Sequence, residues 1–204
     1  ADGYSGTFTF PAPANDPVKS SIQIKTWKLQ SYDTGTIEIE DVTKSAENEL
    51  LYGNTIAALD DQTQFALVDI GLERDVLLVT EQSYTYDTGI EAALYCQVYY
   101  SIDGSVKDLG SVESEGTAYP VSYGQGCIYT AGNHSVSKYV IDETTYQLIC
   151  EQKDEVSYDA EGNASYIRSY PGMDKEKSST EKAFNEAMEA YHEACLLYTS
   201  PSPR

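Results

Sequence analysis

Phe65-Ala-Leu-Val-Asp-Ile-Gly-Leu-Glu-Arg-Asp-Val-Leu-Leu-Val-Thr80 contains two short apolar runs, Phe65 to Ile70 and Val76 to Val79, on either side of a polar turn. Runs of this length, bounded by turn signals, are too short for helices and read as two buried strands. Residues 65–80 therefore predict the core hairpin on which the rest of the chain is built.

Downstream of it the sequence turns into strand signals separated by turns: Leu94 to Ile102, Ser105 to Val112, Cys127 to Thr130, Ser135 to Ile141, Tyr146 to Gln152 and Ala164 to Arg168. Asp103-Gly104, Gly132-Asn133 and Asp142 to Thr145 fall where hairpin turns belong. Thirteen of the 18 tyrosines lie between Tyr84 and Tyr170, which suits a tyrosine-faced β-meander over residues 92–168 better than helices. A faint repeat runs through it. Tyr100-Ser-Ile102-Asp103 with Leu109 recurs 39 residues on as Tyr139-Val-Ile141-Asp142 with Leu148, and the chain is too short to make a closed propeller of such units. Two related hairpins are expected.

Upstream, Tyr4 to Phe10, Ile22 to Leu29 and Thr36 to Glu40 alternate as strands, giving N-terminal strands within residues 1–40. Asp41 to Leu59 predicts a weaker helix with Leu50, Leu51 and Ile56 as its apolar contacts, interrupted by Gly53-Asn54. The C-terminal helix, residues 179–194, is better marked: Ser178 and Glu181 form a capping box, and Phe184, Ala187, Met188 and Tyr191 make an apolar stripe that must cover a sheet face. The expected fold is α+β, an antiparallel β-meander sheet with a C-terminal covering helix, in one domain over residues 1–194.

The chain has 204 residues, 33 acidic against 13 basic, and a net charge of −20. That balance repels phosphate backbones, so nucleic acid is not an expected partner, and no apolar run is long enough to span a membrane. Cys96, Cys127 and Cys150 lack metal-ligand spacing. With Gly132-Asn133 and Glu143-Thr144 as two-residue turns, Cys127 lies opposite Lys138 and Cys150 opposite Ser137. Those two cysteines then point to opposite faces, so any disulfide would involve Cys96.

The Phe65 to Thr80 segment resembles a degenerate copy of the Asp-x-Asp-Gly-Asp-Gly-x-x-Glu-Leu-Leu segment of exported bacterial proteins with calcium-loop repeats of the VCBS or FG-GAP kind. The resemblance implies an exported or lipid-anchored, β-rich, extracellular or cell-envelope protein. In that family carboxylates at loop positions 1, 3, 5 and 9 hold calcium; here those positions are Asp69, Gly71, Glu73 and Leu77, so two ligands are missing. Residues 195–204, Cys-Leu-Leu-Tyr-Thr-Ser-Pro-Ser-Pro-Arg, resemble translated sequencing-adapter sequence and are expected to be an artefactual or disordered tail, with Ala1 following a removed export signal or a fragment boundary.

Asp159-Ala-Glu161-Gly-Asn163 is the better oxygen cluster. Asp159, Glu161 and Asn163 stand at alternate positions around a glycine, as metal ligands or as turn formers. His134 and His192 have no partner motif, Asp60-Asp61 and Asp154-Glu155 lack the opposed geometry of glycosidase acids, and no nucleophile elbow, phosphate loop or dinucleotide fingerprint occurs. Enzyme activity therefore has no positive support, and no cofactor is expected apart from calcium. The tyrosines suggest a binding surface for a glycan or a protein, because tyrosine joins apolar area to a polar tip. A calcium-binding structural domain and an accessory part of a larger hydrolase are the alternatives.

Overall fold

The computed structural model describes residues 39–60, 62–86, 91–173, 175–196 and 200–201, with side chains from Glu47 to Ala194. These lie in one compact unit, Glu38–Arg204, separate from a unit Ala1–Ile37. The N-terminal strands expected in residues 1–40 fall outside the described residues, except that Ile39 and Glu40 open a helix.

The elements in order are α1 (Ile39–Ala57), β1 (Gln64–Val68), β2 (Val76–Thr80), β3 (Ser83–Thr85), β4 (Glu91–Ala93), β5 (Tyr95–Ile102), β6 (Ser105–Glu113), β7 (Ser122–Gly124), β8 (Cys127–Ala131), β9 (Ser135–Asp142), β10 (Gln147–Tyr158), β11 (Ala164–Tyr170), a 3-10 turn at Pro171–Met173, β12 (Lys175–Ser178), α2 (Glu181–Glu193), β13 (Cys195–Leu196) and β14 (Ser200–Pro201). The fold is α+β and antiparallel, as expected. The expected single sheet is instead two: a five-stranded sheet in the order β14-β1-β2-β5-β6 and a seven-stranded meander β12-β11-β10-β9-β8-β7-β13, with β3-β4 as a separate ribbon.

Burial explains the layering. Val76 and Leu78 of β2 pack with Val98, Val121, Ile128 and Ile141 between the two sheets. Leu77 and Val79, on the other face of β2, pack under α1 with Tyr52 and Ile56. All five residues of β2 are buried because both its faces are covered. The same holds for β8, whose Ile128 faces the inter-sheet core while Cys127, Tyr129 and Ala131 lie beneath Tyr191 of α2. The order of layers is thus α1, five-stranded sheet, seven-stranded sheet, α2. Fully burying a side chain such as Leu77 or Leu78 contributes about 1.5–3 kcal/mol, so these doubly covered strands anchor the stack.

The core hairpin pairs Gln64 with Thr80 through Val68 with Val76, and its connection is the seven-residue loop 69–75, not a tight turn. Asp103-Gly104 does make a two-residue turn: Ile102 pairs with Ser105, and φ values of 49° and 74° give the type I′ geometry that an Asp-Gly pair favours. The repeat has a structural meaning. Tyr100, Ile102 and Leu109 of the β5–β6 hairpin and Tyr139, Ile141 and Leu148 of the β9–β10 hairpin all line the inter-sheet core, one set from each sheet.

The cysteine registers differ from expectation by two residues. Lys138 pairs with Tyr129 rather than Cys127, because the connection is the longer loop 132–135, and Cys150 pairs with Tyr139 rather than Ser137. A shift of two preserves the face, so Cys127 lies on the α2 side and Cys150 on the inner side, as argued from the turns. Cys96, Cys127 and Cys150 are all free thiols.

Two helix details are corrected. α1 runs unbroken through Gly53-Asn54, and Leu50, expected as a contact, is 85% exposed. The buried stripe is Asn48, Tyr52 and Ile56 at i, i+4 and i+8, which puts Leu50 on the opposite side. α2 is capped by Thr180, whose hydroxyl accepts from the Ala183 N–H at 3.2 Å, whereas Ser178 belongs to β12. Phe184 and Tyr191 of its predicted stripe are buried, with Ala187 and Met188 packed alongside.

Candidate binding surface

The residues singled out from sequence do not converge. Asp159 sits in the β10–β11 turn, where its Oδ1 accepts from the N–H groups of Glu161 (3.0 Å) and Asn163 (2.7 Å), and its Oδ2 accepts from Asn163 Nδ2 (2.8 Å). These bonds, led by that of the Asn163 side chain, hold the Asp159 carboxyl below its ordinary value. Gly162 closes the turn at φ 85°. The carboxylate is thus engaged in shaping the loop, and Glu161 is exposed.

In the 69–75 loop, Asp69 Oδ1 accepts from the Gly71 N–H at 2.8 Å, Glu73 is exposed beside Arg74, and Leu77 is fully buried under α1. Asp154 and Glu155 point to opposite faces: Asp154 is 1% exposed under α2, and Glu155 Oε1 lies 2.8 Å from Lys153 Nζ. Desolvation raises the thiols of Cys96, Cys127 and Cys150, Cys96 to about 12, which leaves them in the poorly nucleophilic protonated form.

Two buried polar junctions were not anticipated. Tyr52 on α1 donates its hydroxyl to the Asp75 carbonyl oxygen at 2.6 Å and accepts from the Ser101 N–H at 3.0 Å, while Asn48 Nδ2 donates to Asp75 Oδ2 at 2.6 Å. Under α2, Arg168 Nε donates to Asp154 Oδ1 at 2.7 Å and Arg168 Nη2 to the Ala183 carbonyl at 3.0 Å, and Gln152 Nε2 donates to Asp154 Oδ2 at 2.6 Å. One junction fastens each helix to its sheet. Their partners are protein groups, which fits structure better than chemistry on a ligand.

What remains open is the outer face of β10, β11 and β12 beside α2. The helix packs on β8, β9 and β10 and reaches β11 at two places, through Phe184 on Tyr166, with ring centres 6.0 Å apart, and through the Ala183 carbonyl on Arg168. Alternation along the ladder places Tyr158, Tyr166, Arg168 and Tyr170 on this one face, with Lys177 opposite Arg168 and Lys175 opposite Tyr170. Tyr158 pairs with Ala164, whose methyl group hides little of the ring, and it is 56% exposed. The exposed ring of His134, in the β8–β9 loop, stands edge-on to it at 5.6 Å. Tyr166 and Tyr170 are half-buried and lie about 13 Å apart along β11 at the usual strand rise. At the far end Lys177 Nζ is 5.3 Å from the Tyr170 ring centre. That ammonium, with Arg168 assisting, holds the Tyr170 phenol below its ordinary value. The tyrosine richness visible in the sequence thus resolves into a strip with amphipathic rings at both ends and polar groups between them.

No protein-family model, curated protein or solved structure matches this chain. Among the described residues, no three histidine, cysteine or acidic side chains gather as a metal site, and no helix is long and apolar enough to cross a membrane.

Proposed function

We propose that the chain is a non-catalytic binding domain that works outside the cytoplasm, secreted or in the cell envelope, and engages a glycan on the outer face of β10–β12. The observation that carries this reading is the placement of Tyr158, Tyr166 and Tyr170 on one face of the sheet, with Tyr158 and Tyr170 at the two ends of a strip that α2 touches at Tyr166 and Arg168 between them. Sugars present apolar C–H faces ringed by hydroxyls. Tyrosines supply flat apolar area with few rotatable bonds to lose, and the neighbouring amide, carboxylate and cationic groups supply hydrogen bonds. The extracytoplasmic setting rests on the resemblance of the Phe65 to Thr80 segment to exported proteins.

A protein ligand is the second reading, favoured by Met173, 59% exposed in the turn that follows Tyr170. Screening the chain on a glycan array, followed by titration of the hits against Tyr158→Ala and Tyr170→Ala, tests the proposal. Losing one stacked ring is expected to weaken binding roughly tenfold, about 1.4 kcal/mol. Glycan binding that neither substitution alters would refute this placement, and an array without hits would turn the search to protein ligands.

A further inference from the structure

The same strip carries a charge arrangement at odds with the rest of the molecule. Acidic residues outnumber basic ones 33 to 13, and Arg74, Lys138, Lys153, Arg168 and Lys182 each lie within 4.0 Å of a carboxylate oxygen. Lys107, on β6, has no such partner among the described residues, and neither do Lys175 and Lys177. The latter two stand on one face of β12 at i and i+2, and Lys177 lies directly across from a third cation, Arg168. Like charges opposite one another in a sheet are destabilising, and the buried Asp154 already occupies Arg168. The acidic residue of β12, Glu176, points to the other face, opposite Ser169.

Lysines on an edge strand also discourage pairing with foreign strands, which accounts for their presence on β12. It does not account for their sharing a face with Arg168 and the Tyr170 phenol, at the end of the strip beyond the contacts of α2 with Tyr166 and Arg168. Lys177 is offset in part by the Tyr170 ring, 5.3 Å from its Nζ, while Lys175 has no carboxylate partner among the described residues, and local arrangements that cost stability are characteristic of ligand sites.

We infer that the glycan bound on the β10–β12 face carries an oxyanion, a carboxylate or a sulfate ester, and that Lys175 and Lys177 receive it beside Tyr170. The inference rests on the glycan reading above. The two ammonium groups approach the anion as point charges, the Tyr170 hydroxyl donates a hydrogen bond to it, and the tyrosine rings flank the sugar. The net charge of −20 restricts the ligand to a sugar with isolated anionic groups. A dense polyanion would be repelled over the whole surface, whereas at physiological ionic strength a single group within about 8 Å senses mainly its immediate neighbours.

Calorimetric titration of the intact chain with galacturonic acid, its neutral methyl ester, galactose 6-sulfate and galactose tests this. An acidic sugar is expected to bind at least about tenfold more tightly than the neutral ones, with affinity falling as salt is raised. The acid that binds better identifies the group as carboxylate or sulfate. The double variant Lys175→Gln/Lys177→Gln should lose that preference with a melting temperature no lower than that of the wild type, since both side chains are exposed and Lys177 faces a like charge on Arg168. Lys107→Gln, on β6 of the other sheet, should change nothing. Equal binding of acidic and neutral sugars, or an acid preference that survives the double variant, overturns the inference and leaves the binding strip standing. Failure of all four sugars to bind overturns the inference and counts against the glycan reading too.

Discussion

Replacing Tyr52 with phenylalanine tests whether α1 is fastened by hydrogen bonds as well as by packing. The ring is fully buried between α1 and the five-stranded sheet, and its hydroxyl links the Asp75 carbonyl to the Ser101 N–H. Tyr52→Phe keeps the ring and its apolar contacts but leaves the Ser101 N–H facing a hydrocarbon edge. A buried donor left without an acceptor costs about 1–3 kcal/mol, and about 2 kcal/mol is expected here. In urea denaturation followed by circular dichroism, the midpoint should fall with an unchanged slope, since the surface exposed on unfolding is the same.

The pH dependence sharpens the test. Burial, which outweighs the opposing bond from Ser101, pushes the phenol from 10.0 to about 12 in the folded chain. A folded-state value above the unfolded one means that the tyrosine's contribution is intact below pH 10. It is lost as the pH rises through about 12. The gap between wild type and Tyr52→Phe should therefore be constant near neutrality and close between about pH 10 and 12. A variant as stable as wild type at neutral pH, or a gap that stays constant into that alkaline range, would refute the reasoning.

Arg168→Leu should destabilise the fold by about 3–5 kcal/mol, because it strands the Asp154 charge, 1% exposed, beneath α2. The double change Asp154→Leu/Arg168→Leu should recover much of that loss, and a double-mutant cycle by chemical denaturation measures it. Thiol labelling with a maleimide at neutral pH should modify half-buried Cys150 well before Cys96, which is fully buried and has its thiol pushed up to about 12. Peptide mapping distinguishes the two, and equal labelling rates would contradict the burial of Cys96 between the sheets.

Features set by neighbouring residues could be read from the chain. Alternation marked β5, β6, β9 and β11, Asp103-Gly104 specified its own turn, and the Phe184 to Tyr191 stripe identified α2. Features that depend on what covers a face could not be read so directly. Val76 to Val79 and Cys127 to Thr130 are unbroken apolar runs, the pattern of strands covered on both sides, yet such a run does not say whether helices or a second sheet supply the cover. Leu50 is a stronger hydrophobe than Tyr52, so sequence favoured it as a contact. The long-range bonds of the Tyr52 hydroxyl to Asp75 and Ser101 determine which stripe of α1 faces inward. The tyrosines were visible as a count, but their sorting onto one face required the β10–β11 register. The cationic group was hidden more fully, because Lys175-Glu-Lys-Ser178 reads as a polar connection until its pairing with β11 brings Lys177 beside Arg168.

The width of the seven-stranded sheet has a consequence of its own. Six inter-strand spacings of about 4.8 Å make it about 29 Å across. A helix of 13 residues is about 20 Å long and, with its side chains, about 10 Å wide. Whether it lies along the strands or across them, α2 is too small to roof the whole sheet, so a bare margin is a matter of proportion and needs no special arrangement. A longer α2, or a second helix after it, would have sealed β11 and β12 into the interior and left Tyr158, Tyr166 and Tyr170 as core residues.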